Sequence, residues 1–386
     1  MDLHVVEELA SDLDEFAGDV FKYLALQTQR GYGRQYVRGL LLDGKRKSVE
    51  PVAERLGIPR QNLGHFIGQS TWDYTEVMQR LAARATAVVQ PTAWIIDDHP
   101  FVRYGRHTAG AMAHCGEREQ HLCQVAVSVH ATSPTGSTPL HWRLFVPKLR
   151  AEDQPRCAAA GIPATITHRT KQKLALDLVD ELARWGLAPP LVIADSDYGN
   201  NVAFRTGLSD QGIPWLLAVT GAPVTAWSRR RPPLHVDDIA AGHRYRARRY
   251  VYRRKTRQHA ARSGWFVAVP VHIAGIIERD YISRHVPERV LPQRTLVVQW
   301  RRKRGGDVFR SWITDLPSGT PLSVLVRHAT SRWSIETGYR EMEQALGLGD
   351  FEGRTYNGFH HHVTLVSAAH LFCLEQRLNP KGPAAT

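Results

Sequence analysis

Two short apolar runs, Ala93-Trp94-Ile95-Ile96 and Leu191-Val192-Ile193-Ala194, each end on aspartate: Asp97-Asp98 after the first and Asp195 after the second. A third acid, Glu336, lies far downstream in a segment of helical spacing. Apolar runs of this length read as buried strands, and the C-terminal ends of strands are where ligands gather in open α/β sheets. Three carboxylates can hold two divalent ions about 4 Å apart, a pair that activates an attacking oxygen and stabilises a leaving one in phosphodiester chemistry. Mg²⁺ suits such a site because it prefers carboxylate, water and phosphate oxygens. Without cations the cluster would repel itself. Each acid also has a plainer role open to it. Asp97 or Asp98 can close a strand or a turn, Asp195 or Asp197 can cap a helix, and Glu336 can pair with Arg332 or Arg340 one turn away. The order strand-Asp, strand-Asp, helix-Glu on a basic chain favours the chemical role.

The chain has 386 residues, enough for two or three domains. Its 50 Lys and Arg outnumber 37 Asp and Glu, a net charge of +13 that suits a polyanionic partner such as nucleic acid. A wholly disordered chain is excluded by 43% hydrophobic residues, and no apolar stretch approaches the length of a membrane span. The acidic start Met1-Asp2-Leu3-His4 lacks the basic, apolar pattern of a signal peptide, so a cytoplasmic protein without membrane contact is expected. Cys115, Cys123, Cys157 and Cys373 are scattered, which predicts no disulfide framework and matches no common zinc spacing.

Stepping along the chain, residues 1–88 read as a helical DNA-binding domain. Within it, 48–67 has the pattern of a helix-turn-helix. Ser48 is placed to cap a first helix, Gly57 to make the turn and Pro59 to open a second helix, which presents Arg60, Gln61, Asn62 and His65 outward. Arg, Gln and Asn pair well with base edges. Residues 89–220 alternate strand and helix patterns, including an amphipathic helix over 171–185 and a strand over 215–219. They form the first part of a mixed α/β core. Residues 221–315 are a basic, β-rich insertion. Between Arg229 and Arg262 it carries 12 Arg or Lys against Asp237 and Asp238. Aromatic residues are interleaved there, a nucleic-acid signature. Backbone contacts are expected from Arg229, Arg230, Arg231, Arg248, Arg249, Arg253, Arg254, Lys255, Arg301, Arg302, Lys303 and Arg304. Residues 316–378 return to helix as the C-terminal part of the core, and 379–386 form a flexible tail.

Several stretches, taken in order, resemble the DDE transposases of bacterial insertion sequences, in the branch with a β-rich insertion between the second Asp and the Glu. They are Tyr36–Leu42, Arg46–Pro51, Trp94–Asp98, Cys123–Val129, Val192–Gly199, Arg332–Glu336, Leu346–Arg354 and Gly358–His362. The resemblance implies an RNase H-like mixed-sheet core with an N-terminal helical domain. It implies Asp98, Asp195 and Glu336 as catalytic and metal-holding acids, with Asp98 preferred over Asp97 because the family's acid directly precedes the position held by His99. Arg332 and Arg340 on the Glu segment would contact DNA. Two Mg²⁺ or Mn²⁺ ions, double-stranded DNA (element ends and target) and a homodimer on DNA are further implications. So is metal-dependent cleavage at terminal inverted repeats with strand transfer, by a cut-and-paste route. Two other functions fit the same residues: a weakened or domesticated transposase that only binds DNA, and an RNase H-fold nuclease acting on another nucleic acid. Four positions depart from the family's pattern: His99-Pro100 stands where Thr-Gly is usual, Glu343 where Lys is frequent, and Ala329 where Tyr is expected.

Overall fold

Ten residues from Ala93 to Val102 form strand β1, which contributes to both compact units of the chain. The computed structural model describes residues 9–103, 105, 107–115, 120–220, 225–227, 234–253, 261–273, 293–302 and 307–379. One unit comprises 1–92, 97–188 and 334–386, and the other 93–96 and 189–333.

The first unit opens with helices α1 (Ala10–Val20), α2 (Gln27–Leu41), α3 (Val49–Leu56), α4 (Arg60–Gly68) and α5 (Tyr74–Val89). Gly57 closes α3 in the left-handed region (φ 65°), a conformation open to glycine. Ser48 stands at the N-cap of α3 but makes no side-chain cap bond, and α4 begins immediately after Pro59. Val52, Ala53, Leu63, Phe66 and Ile67 are buried, whereas Leu56 and Ile58 are only half-buried.

The same unit holds strands β2 (Met112–Cys115), β3 (Gln120–Ser133) and β4 (Gly136–Leu144) and helix α6 (Lys171–Arg184). Two short helical turns, Lys148–Ala151 and Gln154–Ala159, lie between β4 and α6. The Thr92 N–H bonds Thr132 C=O, and the Arg103 N–H bonds Leu122 C=O, the reversed order of an antiparallel pair along β1 and β3. β3 pairs with β4 antiparallel, with a register shift beside His130, whose partner is Pro139. Proline cannot donate to the ladder, so the irregularity falls there. The alternation in Gln124–His130 suggests one solvated face, yet Gln124, Ser128, His130 and Thr132 are all buried. Most of their side-chain polar groups find internal partners, while His130 Nδ1 has none among the described residues. Gln124 accepts from Arg103 Nε at 2.6 Å and donates to Ala109 C=O at 2.6 Å.

The second unit continues from β1 through β5 (Val192–Ala194), α7 (Ser196–Gly199), α8 (Val202–Asp210) and β6 (Trp215–Val219). β1, β5 and β6 are parallel, with Trp94, Ile95 and Ile96 opposite Val192, Ile193 and Ala194. All six side chains are buried, as expected for parallel strands covered on both faces. The strand signals of the insertion take shape as β7 (Thr225–Trp227), β8 (Leu234–His235), β9 (Arg248–Arg253), β10 (Arg262–Ile273), β11 (Arg294–Trp300) and β12 (Arg310–Thr314). β12 pairs antiparallel with β6, and β11, β10 and then β9 or β7 follow, so the insertion extends the sheet. A helix, α9 (Val236–His243), lies within it, seated by buried Val236 and Ala240.

Helix α10 (Leu322–Ala329) ends the second unit's regular structure. Helices α11 (Trp333–Leu346) and α12 (Tyr356–Leu378) follow. The helical pattern over 321–346 is therefore two helices, broken at 330–332. α12 is buried on nearly every side in the first unit and includes three consecutive buried histidines, His360, His361 and His362. Among the described residues no helix is long and apolar enough to cross a membrane, and Cys123, Cys157 and Cys373 are free thiols.

Candidate active site

The first unit holds Asp98 and Glu336. Side chains alternate along β1, and the two neighbouring aspartates diverge accordingly. Asp97 is 6% exposed, and its Oδ1 accepts the Asp98 N–H at 3.1 Å. Asp98 is part-exposed, and its Oδ2 lies 2.9 Å from Lys171 Nζ at the start of α6.

Glu336 is exposed on the first turn of α11 and makes no ion pair among the described residues. The pairing with Arg340 open to it in the sequence is not made among the described residues. Arg332 precedes α11, in the non-helical stretch 330–332. α11 is fixed to β3 on either side of Glu336. Ser334 Oγ lies 2.9 Å from Thr132 Oγ1, and Tyr339 Oη lies 2.6 Å from Ser128 Oγ. His99 adds a third tie: its ring stacks on Tyr339 with centroids 4.5 Å apart, and its Nε2 lies 3.1 Å from Glu343 Oε1. The hydrogen bond from His99 holds the Glu343 carboxyl below its usual range. Two of the departures from the family's pattern, His99 and Glu343, thus meet each other.

Beside this pair lies a pocket of about 590 Å³ whose lining includes His99, Phe101, Arg103, Glu343, Gly349 and Arg354. Arg103 is buried, and its Nη2 has no partner among the described residues. Burial pulls its pKa down to about 10. Two of the pocket's other acids are matched: Glu352 pairs with Arg46 at 3.0 Å, and Asp350 accepts the Lys47 N–H at 2.6 Å.

The second unit holds Asp195. It is the N-cap of α7, its Oδ1 accepting the Asp197 N–H at 2.9 Å, and its Oδ2 lies 3.5 Å from Arg332 Nη2. The capping role and a charged role therefore coexist in one side chain. Gly199 ends α7 against β6, where a Cβ would collide with the Ala218 carbonyl oxygen. Only glycine lets the capped turn sit this close.

The basic residues of the insertion divide in two. Arg248, Arg249, Arg301 and Arg302 are exposed. Arg301 lies over the Phe309 ring at 4.1 Å, so part of the stripe rests on aromatic surface. Arg253 ends β9. Arg229, Arg230, Arg231, Arg254, Lys255, Lys303 and Arg304 lie outside the described residues. Arg60, Gln61 and Asn62 are exposed on the first turn of α4, with Arg60 3.4 Å from Glu50, and Arg340 is exposed on α11.

The acids suit a hard divalent cation in kind. All are carboxylates, and two already carry a tethered positive charge, Lys171 at Asp98 and Arg332 at Asp195. No group of three His, Cys, Asp or Glu side chains is gathered into a metal cage among the described residues. Spacing gave no signal for Lys171, Tyr339 or Arg103, whose partners are remote in sequence.

Asp98 lies within β1 rather than at its end, Asp195 directly follows β5, and Glu336 stands on α11. The family model for DDE superfamily endonucleases matches residues 19–265, and that for the transposase DDE domain matches 165–372. The chain belongs to the DDE transposase family. A curated relative from Microchaete diplosiphon, named "Probable transposase for insertion sequence element IS701", is 25% identical over 189 residues. That match spans 47% of this chain and 46% of the relative, so the chain is matched over about half of that relative's length. Among solved structures, a piggyBac transposase synaptic complex with hairpin DNA aligns over 96% of this chain and 72% of its own, at 8% identity and a TM-score of 0.48.

Proposed function

We propose that this chain is an insertion-sequence transposase that cuts DNA at the ends of its element and joins the freed ends to a target, by cut-and-paste. The observation that carries the reading is the match of the chain to the two DDE family models. Asp98, Asp195 and Glu336 would hold two Mg²⁺ or Mn²⁺ ions, which when bound activate the attacking oxygen and stabilise the leaving one. The anchoring of α11 to β3 through Ser334 and Tyr339 holds the Glu336 backbone in place. The exposed arginines of the insertion neutralise backbone phosphates, and Arg332 and Arg340 add charge along the Glu336 segment. Arg60, Gln61 and Asn62 on α4 supply contacts to base edges of double-stranded DNA. The protein works as a homodimer on DNA in the cytoplasm.

The test is cleavage of a supercoiled plasmid that carries the flanking element ends, with Mg²⁺ or Mn²⁺, against an Asp195→Asn control. Breaks at the ends that vanish in the control support the reading. Tight binding to the same ends with no cutting in either metal would leave a DNA-binding protein in its place.

A further inference from the structure

Lys171 is the first residue of α6, and its Nζ stands 2.9 Å from Asp98 Oδ2. Asp98 is largely buried and Lys171 half-buried, so the pair is partly shielded from solvent. In a shielded place the charge of one partner strongly governs what else can approach the other. A divalent cation and an ammonium cannot share one carboxylate oxygen at contact distance, because their charges repel. Nothing in the local helix demands the pair. Thr170 already caps α6 through the Lys173 N–H, so Lys171 is not needed to start the helix.

We propose that Lys171 is a tethered counter-cation for Asp98. It keeps the carboxylate paired and aimed while no divalent ion is present, and it must be displaced for an ion to bind. Lys171 is thus a positioning residue that sets how tightly the first acid takes metal. A four-carbon stem ending in a mobile ammonium suits a partner that has to leave, whereas a bidentate guanidinium would hold longer. The inference rests on the reading of Asp98 as a metal ligand.

The experiment is Mn²⁺ titration of the full-length protein without DNA, followed by the magnetic resonance signal of the free ion. Lys171→Met keeps the length of the side chain and removes its charge. It is expected to tighten the Asp98-dependent Mn²⁺ binding by about threefold to tenfold, the scale of a partly exposed ion pair. Lys171→Arg should stay within about twofold of the parent or bind more weakly. In an Asp98→Asn background, the gain from Lys171→Met should be lost, since the Asp98 carboxylate for which it competes is gone. Unchanged or weaker Mn²⁺ binding in Lys171→Met, with the circular dichroism of the parent, overturns the exchange while leaving the acid's role intact. If Asp98→Asn itself leaves Mn²⁺ binding unaltered, the assignment of Asp98 falls and the exchange falls with it.

Discussion

Replacing Asp195 separates chemistry from folding, because the side chain does two things that asparagine divides. As the N-cap of α7 it accepts the Asp197 N–H at 2.9 Å. Asparagine keeps that oxygen and caps about as well as aspartate. The charge is lost, and with it the 3.5 Å pair with Arg332, whose side chains are 21% and 35% exposed. A pair of that kind contributes under about 1 kcal/mol. The melting temperature of Asp195→Asn should therefore stay within about 4 °C of the parent. Asp195→Ala also loses the cap, a further cost of about 1 kcal/mol. On the proposed role of Asp195 as a metal ligand, its removal costs several kcal/mol, and each 1.36 kcal/mol is tenfold, so cleavage should fall by about a thousandfold or more in both variants. The assay is plasmid cleavage beside thermal melting. Cutting within about tenfold of the parent by Asp195→Asn, or a melting loss as large as that of Asp195→Ala, would refute the reasoning.

Burial pulls His360 down to about 3 and His362 to about 4, against an ordinary value near 6.5. The unfolded chain therefore binds more protons below pH 6.5. Stability that is full above that pH drains away as pH falls, by up to about 2.7 kcal/mol per unit for the two together between about pH 6 and pH 4. Urea midpoints measured across this range test it, and a flat profile would show that the histidines are not neutral in the fold. Gly199→Ala drives a methyl into the Ala218 carbonyl, with an expected cost of about 1–3 kcal/mol; a melting temperature equal to the parent's would contradict the close packing of α7 on β6. Duplex binding should weaken steeply with salt, with a log–log slope of about −0.9 per phosphate contacted. Charge removal at Arg248, Arg249, Arg301 and Arg302 should flatten that slope, and no change would remove these arginines from the interface.

The strands that hold the two aspartates were legible because their run of large apolar residues is long enough for a strand and too short for a helix. β3 was read only in part. Gln124, Ser128, His130 and Thr132 look like a solvent face in the sequence, and only three-dimensional partners such as Arg103, Tyr339 and Ser334 reveal them as interior. α9 was missed because prolines and arginines dominate its neighbourhood, while its own signal is a short stretch of Val236, Ile239 and Ala240. The break at 330–332 carries no Pro or Gly to announce it. Lys171 was invisible for a different reason: an ion pair across 73 residues leaves no periodic trace.

His99 and Glu343 show what such remote pairs do to an argument made residue by residue. Read singly, Glu343 is a carboxylate where phosphate contact calls for a cation. Beside His99 it is a satisfied carboxylate, held charged by a hydrogen bond of 3.1 Å and set at the edge of a ring stack with Tyr339. Restoring lysine alone therefore does harm. Glu343→Lys places an ammonium against the His99 ring and removes the group that orients it next to Asp98. It is expected to lower the melting temperature and to leave cleavage no better than in the parent. His99→Thr combined with Glu343→Lys replaces both halves of the pair and should recover part of the loss, with a coupling of about 0.5–1 kcal/mol between the two sites. Thermal melts of the four proteins measure that coupling. If Glu343→Lys alone raised cleavage at no cost in stability, the two residues would be independent departures rather than one exchanged contact.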